Sequence, residues 1–473
     1  MITIFGYRTF RGNVGTIGPG IQGCCSIARR YDRKVKTDVV TESEPTASPR
    51  RGLAGPGGHA AAVASSVRRP RYDLADRPFI VIWELTRACD LACRHCRAEA
   101  APERHPQELS TEEGFALIDQ VAGLGQPRPV FVMTGGDPLK RPDLADLVAH
   151  ARAAGVPPAL APSVTPLLTS ANLGALRQAG MGAVSLSLDG STPAVHDGFR
   201  GVGGSFEQTI AAMETVRSLG IRLQVNSTVG RHNLADLADL AALVQGVDPV
   251  TWSVFFLVPT GRGSALGHLT AAECEDVLAF LYDVARDVPV KVTEAQHYRR
   301  VVIQHQEASI SPASSGGVPP AMGPVYRSLS ARRREVAQRP GGHRPLPRDG
   351  AGAPSDRRRA RPETAPAPDR LVRRSPMAVS SGNGFVFVSH TGDVFPSGFL
   401  PIPCGNVRAQ ELADIYTSSP VLRALRDPER LEGKCGRCEL KAVCGGSRAR
   451  AYGVTGNLFA EEPWCAYEPA ATA

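Results

Sequence analysis

Three cysteines with short, regular spacing are the clearest candidates for chemistry in this sequence. Cys89, Cys93 and Cys96 follow the pattern Cys-x3-Cys-x2-Cys. Three thiolates can bind three irons of a [4Fe–4S] cluster, whereas electron-transfer clusters usually have a cysteine on every iron. The fourth iron would then be open to a substrate or cofactor, as catalytic metal sites generally are. A zinc site completed by His95 or His105 is the alternative that the spacing leaves open.

A second group of cysteines lies near the C-terminus. Cys435, Cys438 and Cys444 follow the pattern Cys-x2-Cys-x5-Cys, and Cys465 comes later. Four thiolates can bind a fully ligated iron–sulfur cluster or a structural zinc ion, and the spacing does not separate these alternatives. Because the remaining cysteines are scattered, the pattern indicates metal sites rather than a disulfide framework.

Short apolar runs alternate with amphipathic stretches from Phe79 onward, which predicts a parallel sheet with helices between its strands. The predicted strands are Phe79–Leu85, Pro129–Thr134, Ala159–Val164, Ala183–Leu188, Arg222–Val229 and Thr251–Val258. Capping-box patterns predict helix starts at Ser110, Ser205 and Thr270, and glycines predict helix ends at Gly180, Gly220 and Gly246. The fold class is therefore α/β, a partial, open (β/α)6 TIM-type barrel with ligands at the C-terminal ends of the strands.

The net charge of +8 is concentrated in two segments that lack apolar periodicity. Residues 1–75 hold twelve basic and five acidic side chains, and residues 306–376 hold fourteen and six. Their composition predicts disorder, which makes nucleic-acid binding an unlikely reason for the charge. We therefore expect a basic N-terminal extension at 1–75, the barrel at 76–305, a disordered Pro/Arg-rich insertion at 306–376 and a small iron–sulfur domain at 377–473.

The sequence also bears on the location of the protein. No apolar run approaches the length needed to span a bilayer, and Arg8 and Arg11 interrupt the stretch where a signal peptide would be apolar. We therefore expect a cytoplasmic protein without a membrane partner.

The first cysteine group resembles the signature of the radical S-adenosylmethionine (SAM) superfamily. In that family the open iron binds SAM, which is reductively cleaved to a 5′-deoxyadenosyl radical that abstracts a substrate hydrogen. Residues 134–138, Thr-Gly-Gly-Asp-Pro, follow the second predicted strand and resemble the family's GGEP motif, with Asp in place of Glu. The resemblance assigns Gly135, Gly136 and Asp137 to the loop that holds the SAM amino group.

Polar residues after later strands resemble the same family. The segments 185–190, Ser-Leu-Ser-Leu-Asp-Gly, and 196–200, His-Asp-Gly-Phe-Arg, are similar to its fourth-strand region. His95 occupies the place of an aromatic residue that stacks on adenine. The other SAM contacts that the resemblance implies are Ser187, Arg200, Asn226, Thr228 and Leu257.

The C-terminal cysteines resemble the SPASM domain of radical SAM enzymes that mature peptides, including those for pyrroloquinoline quinone and mycofactocin. Relatives in haem and haem d1 formation share this domain. The resemblance implies that Cys435, Cys438, Cys444 and Cys465 bind an auxiliary [4Fe–4S] cluster.

The number of auxiliary clusters is a separate expectation. Many SPASM relatives have two, with further cysteines where this sequence has Ser397 and Arg448. Serine is a poor substitute for a thiolate, and arginine cannot bind iron. We therefore expect one auxiliary cluster, with Cys404 outside it.

The resemblance implies an oxidoreductase of the maturase type that modifies a peptide or other large substrate, with a flavodoxin- or ferredoxin-type electron donor. The alternative is a tetrapyrrole of the haem or haem d1 pathway, whose side chains would be modified, for example by decarboxylation of propionates. Arg262 would then pair with a propionate. An iron–sulfur electron carrier or redox sensor is an alternative of another class, in which the SAM motifs would have no role.

Overall fold

The computed structural model describes residues 72–98, 100–310, 322–339 and 379–470. Its strands are β1 Ile80–Glu84, β2 Val130–Thr134, β3 Ala159–Leu160, β4 Ala183–Ser187, β5 Arg222–Val229, β6 Thr251–Phe256, β7 Val290–Thr293, β8 Phe385–Val388, β9 Asp393–Phe395 and β10 Gly405–Asn406. They form one ten-stranded sheet in the order β10-β9-β8-β1-β2-β3-β4-β5-β6-β7. All pairs among β1 to β8 are parallel, whereas β8 pairs with β9 and β9 with β10 in antiparallel orientation. The sheet does not close, which confirms the open, partial barrel.

Helices follow most of the barrel strands. They are α1 Thr111–Gly123, α2 Leu144–Ala153, α3 Ser170–Ala179, α4 Pro193–Arg200, α5 Ser205–Ser218, α6 Leu237–Val247, α7 Ala271–Val284, α8 Tyr298–Ile310, α9 Pro324–Gln338, α10 Leu412–Ser418, α11 Pro420–Leu425, α12 Gly433–Arg437 and α13 Arg448–Thr455. Across the described ranges, no helix is long and apolar enough to cross a bilayer.

Side chains alternate between the two faces of the barrel strands. In β5, Leu223 and Val225 are buried in the apolar core under the helices, while Gln224 and Asn226 are half-buried on the opposite face. The same alternation occurs in β4, where Ser185 and Ser187 lie on the face opposite the core. Because the helices cover the outer face, these polar side chains line the interior of the barrel.

Two of the three predicted capping boxes are confirmed. Ser110 and Thr270 each accept a hydrogen bond from the backbone of the third helical residue, whose glutamate bonds back. The prediction for Ser205 is wrong because Gly204 is the N-cap of α5. The carboxylate of Asp197 accepts from the Gly204 and Phe206 amides, both at 2.7 Å. A side chain from α4 therefore supplies the cap that the local pattern suggested.

The predicted helix ends were also only partly right. Gly180 is the left-handed C-cap of α3, and Gly220, with φ of 65°, follows the last residue of α5 by two positions. The prediction for Gly246 is wrong because it lies inside α6, which is capped by Asp248 with φ of 54°.

The prediction of disorder for 306–376 is wrong for residues 324–338, which form α9. This helix packs against α6 and α7 and buries Leu329 and Val336. Asp276 accepts hydrogen bonds from the amides of Gly323 (2.6 Å) and Val325 (3.0 Å) at the helix start. The many arginines concealed a short apolar stripe in the sequence. The prediction is also wrong for residues 306–310, which are the last residues of α8. Residues 1–71, 311–321 and 340–378 lie outside the described residues.

The α9 contact predicts a stability effect. Replacing Leu329, which is 3% exposed, by Ala should lower the free energy of unfolding by about 2 to 3 kcal/mol, because it leaves a cavity against α6 and α7. Anaerobic thermal unfolding measures this. Arg334→Ala, on the exposed side of the same helix, is the control and should change little. An unchanged melting temperature for Leu329→Ala would mean that α9 is not docked.

The C-terminal segment does not form a sheet of its own. β8 pairs with β1 in parallel, with Ile80 opposite Phe385 and Trp83 opposite Val388. The Phe79 amide also donates to the carbonyl of Gly384 at 2.8 Å. The expected separate domain at 377–473 therefore begins as an extension of the barrel sheet.

Candidate functional site

The first cysteine group lies in the loop between β1 and α1, at the C-terminal edge of the sheet. This loop is fixed to the loop after β2 by two main-chain hydrogen bonds. Gly136 N donates to Thr86 O (2.7 Å), and Asp137 N donates to Ala88 O (2.6 Å). A Cβ at Gly136 would lie 2.4 Å from the Ala88 oxygen, so only glycine permits this approach.

Asp137 supports the loop with its own side chain. Its carboxylate accepts from the Thr165 hydroxyl (2.7 Å) and the Leu139 amide (3.2 Å). It is fully buried, and burial raises its pKa, an effect that the bond from Thr165 partly offsets. These contacts make Asp137 a support for the glycine loop, whose carbonyl at Gly136 accepts from the Ser163 hydroxyl at 2.7 Å.

Polar side chains from α4 and from the segment after β3 reach two of the three thiols. Ser163, after β3, lies 3.4 Å from Cys89 Sγ, and Arg200 Nη1 lies 3.8 Å from Cys93 Sγ. Arg200 also pairs with the buried carboxylate of Asp189 at 2.5 Å. The structure thus brings Arg200 to the cysteine loop, whereas its predicted contact with SAM stays a prediction.

His95 lies at the end of a stack of three rings. Its imidazole stacks on Phe199 with centroids 4.1 Å apart, and Phe199 stacks on His232 at 3.6 Å. Burial, with a contribution from Arg200, lowers the pKa of His95 to about 3, so the ring is neutral. Phe199 covers one face of His95, and the contact of this ring with adenine stays a prediction.

The remaining predicted SAM contacts lie on or beside the inner face of the sheet. Ser187 in β4 is paired with Asn226 in β5. The amide oxygen of Asn226 accepts from Gln224 at 2.8 Å, and the Thr228 amide donates to Asp189 at 2.6 Å. Leu257 follows β6 and is 7% exposed. Ser187, Asn226 and Thr228 therefore share one surface with each other.

The four C-terminal cysteines line one cavity. Cys435 lies in α12, Cys438 and Cys444 lie between α12 and α13, and Cys465 lies beyond α13. The Glu462 amide donates to Cys435 Sγ at 3.3 Å. Burial raises the pKa of the Cys444 thiol to about 12 and that of Cys465 to about 11. These thiols release their protons when a metal binds, so metal affinity should rise with pH.

The same cavity is lined by side chains from α8 and the residue before it. His297 is fully buried, and neither of its ring nitrogens has a hydrogen-bond partner among the described residues. Arg300, with Lys434 and Lys441, adds positive charge to the lining. Lys434 and Arg437 both lie within ion-pair distance of Glu468, at 3.9 and 3.5 Å, and Arg437 does not line the cavity.

Cys404, Ser397 and Arg448 are engaged elsewhere. The Cys404 thiol contacts the carbonyl of Ile402 at 3.5 Å, and it does not line the cavity of the four cysteines. Ser397 is buried and accepts from the Phe399 amide at 3.3 Å. Arg448 donates to the carbonyls of Leu458 and Ala460, 3.0 and 2.7 Å away.

Comparisons with known proteins agree with this arrangement. The radical SAM superfamily profile matches residues 83–244, and the profile of an iron–sulfur cluster-binding domain, SPASM, matches residues 380–439. The chain is also 37% identical over 417 residues to the AdoMet-dependent heme synthase of Oleidesulfovibrio alaskensis, covering 88% of this chain and 93% of that protein. The chain belongs to the radical SAM superfamily. It is a radical SAM/SPASM enzyme.

Two further comparisons are with a PqqA peptide cyclase and with the solved structure of SuiB. The radical SAM enzyme is 26% identical over 397 residues to the PqqA peptide cyclase of Gluconobacter oxydans, covering 84% of this chain and 92% of that one. The crystal structure of Streptococcus suis SuiB bound to S-adenosylmethionine superposes with a TM-score of 0.55 at 12% identity, covering 83% and 78% of the two chains. The latter likeness shows the shared fold.

The residues present fit the cofactors of a radical SAM/SPASM enzyme, a [4Fe–4S] cluster with SAM and auxiliary iron–sulfur chemistry. The loop that carries three thiols is bonded to the loop of Gly136, where a Cβ would clash with backbone atoms, and four thiols line one cavity with basic side chains. Within 72–98, 100–310, 322–339 and 379–470, no three His, Cys, Asp or Glu side chains form a site for a single metal ion.

Several residues beside these sites were missed by sequence reasoning. Ser163 contacts Cys89, and His232 extends the stack on His95. His297 and Arg300 reach the C-terminal cysteines from the barrel segment. The position of Ser163 near the C-terminal end of the third predicted strand, Ala159–Val164, was the one available signal, since ligands lie at that edge. Nothing in the local sequence linked α8 to cysteines more than a hundred residues away.

Proposed function

We propose that this radical SAM enzyme acts on a tetrapyrrole and forms haem by decarboxylating propionate side chains. The observation that supports this most strongly is 37% identity to an AdoMet-dependent heme synthase over nearly the full length of both chains. Similarity to the PqqA peptide cyclase is lower, at 26%, over a comparable span. A peptide substrate, the first expectation from the sequence, is therefore the second candidate.

We propose the following ligands on the geometry above. Cys89, Cys93 and Cys96 would bind the SAM cluster, and the four C-terminal cysteines would bind one auxiliary cluster. Gly135 and Gly136 would present backbone groups to SAM, with Asp137 supporting their loop. The proposed contacts to the rest of SAM are His95, Ser187, Arg200, Asn226, Thr228 and Leu257.

The surroundings of Arg262 are evidence for a substrate that carries a carboxylate. Its backbone amide donates to the Cys96 carbonyl at 3.3 Å, which places the residue beside the first cysteine loop. The Nε and Nη2 atoms of its guanidinium are buried and have no hydrogen-bond partner among the described residues. Guanidinium groups bind carboxylates strongly through paired hydrogen bonds. A substrate propionate would supply the missing acceptors.

The proposed reaction has a simple balance. When a propionate becomes a vinyl group, it loses a hydrogen atom, carbon dioxide and one electron. When bound, the first cluster supplies the electron that cleaves SAM, and the auxiliary cluster offers an acceptor for the electron from the substrate. The chain itself orients the propionate and excludes water inside the barrel. A flavodoxin- or ferredoxin-type protein is the proposed electron donor.

The test is an anaerobic reaction of the reconstituted enzyme with dithionite, SAM and iron coproporphyrin, a tetrapyrrole that bears propionates. Mass spectrometry should show products that have lost carbon dioxide and two hydrogens per converted side chain, together with 5′-deoxyadenosine. Arg262→Met should bind and cleave SAM but convert the tetrapyrrole at least about tenfold more slowly, because one charged hydrogen bond is lost. SAM cleavage without any change in the tetrapyrrole would contradict the proposal and favour a peptide.

A further inference from the structure

A row of polar side chains crosses the inner face of the barrel. Ser187 is paired with Asn226, Asn226 with Ser253, and Ser253 with Lys291. Paired residues of neighbouring parallel strands point to the same side of a sheet, and adjacent strands lie about 4.8 Å apart. Lys291 is therefore level with the proposed SAM contacts, two strands beyond Asn226.

The neighbours of Lys291 in β7 establish that it points into the barrel. Val290 and Val292 belong to the apolar core beneath the helices, as do Trp252 and Val254 in β6. Because side chains alternate along a strand, Lys291 must point the opposite way, into the interior.

Lys291 has no acidic partner or hydrogen-bond acceptor among the described residues. Burial alone lowers its pKa, and no charged neighbour contributes. Lys291 is half-buried, so its ammonium group is only partly desolvated, yet proteins normally pair such a group with an acceptor. An anion that enters the barrel would supply the missing acceptor.

Two hydroxyl groups beside Lys291 also lack hydrogen-bond partners among the described residues. Ser253 is completely buried, and its Oγ has no hydrogen-bond partner. Thr293, two residues after Lys291 on the same face of β7, has a buried Oγ1 that is also unpartnered. One ammonium and two hydroxyl donors thus lie together on β6 and β7, with no carboxylate to accept from them. This donor set matches the oxygens of one carboxylate.

We propose that Lys291, Ser253 and Thr293 form a subsite that binds a carboxylate of the substrate inside the barrel. The inference rests on the proposed function, and it assigns this subsite a propionate that is held while another side chain reacts. Arg262 lies beside the cysteine loop, whereas Lys291 lies on the last strand of the barrel edge, so the two cations can bind different propionates of one tetrapyrrole. Two anchors would fix the plane of the substrate relative to SAM.

The test is an anaerobic absorbance titration of the reconstituted enzyme with iron coproporphyrin in the presence of SAM. Lys291→Met should weaken binding by about tenfold or more, since it removes one charged hydrogen bond. The methyl ester of iron coproporphyrin, which has no carboxylates, should bind wild type and Lys291→Met equally. Ser253→Ala should weaken binding of the acid by a smaller factor and leave the ester unaffected.

Control measurements distinguish a wrong subsite from a wrong proposed function. Arg286→Met removes an exposed cation from the turn that follows α7 and should bind the acid as the wild type does. Unchanged iron content and SAM cleavage would show that the Lys291 variant is folded. If wild type and Lys291→Met bind the acid equally, the subsite is wrong while the proposed function stands. If the wild type binds neither acid nor ester, both fail.

Discussion

Replacing Cys89, Cys93 and Cys96 together by Ala is expected to abolish SAM cleavage and to remove about half of the iron. Full reconstitution should give about eight irons per chain, four for each cluster. The triple variant should keep about four, because the cavity of the C-terminal cysteines is formed by α8, α12 and the segment around α13, away from the first loop. Iron analysis and electron paramagnetic resonance measure this directly.

The matched control is Cys404→Ala, which removes a thiol outside both groups and should keep all the iron. A triple variant with about eight irons would mean that two auxiliary clusters are present. Stoichiometric zinc in place of iron and sulfide would contradict the assignment of both sites.

Gly136→Ala is expected to reduce SAM cleavage by at least about a hundredfold while leaving the auxiliary cluster intact. The new methyl group would lie 2.4 Å from the Ala88 oxygen and 2.6 Å from the Arg87 oxygen, and both are backbone atoms. The loop before Cys89 must then move, and small misplacements of reacting groups cost about this much. SAM binding, measured by calorimetry, and iron content should fall together.

Gly174→Ala is the control for this substitution, because an added Cβ in α3 meets no atom within 4 Å. It should keep full activity and gain slight stability from the better helix former. Normal SAM cleavage by Gly136→Ala would show that the two loops are not held as closely as the structure indicates.

The sequence predicted the chemistry better than it predicted the surroundings of that chemistry. Cys89, Gly136 and Ser187 could be found because each belongs to a motif at the end of a strand, and strand ends meet at one edge. Lys291 could not be found in this way. What distinguishes Lys291 is the absence of an acceptor for its ammonium group among the described residues. That absence can be recognised only once the three-dimensional positions of the neighbouring strands are known.

Helix α9 and the lining of the C-terminal cavity show two other limits. Leu329 and Val336 are a weak apolar signal among many arginines, and their burial depends on α6 and α7 from earlier in the chain. His297 reaches the C-terminal cysteines because the fold brings α8 beside them. Composition and local periodicity predict the structure of a segment by itself. They do not predict its contacts with segments that are distant in the sequence.

The pairing of β8 with β1 has a consequence for the order in which the protein folds. Ile80 and Phe385 are about three hundred positions apart, yet they are partners in the same sheet. During synthesis the ribosome releases β1 and its cysteine loop long before β8 exists, and contacts of such long range form late and slowly. One edge of β1 therefore stays unpaired until nearly the whole chain has emerged. Iron–sulfur assembly factors would have this interval to reach the first cysteine loop before the sheet is completed.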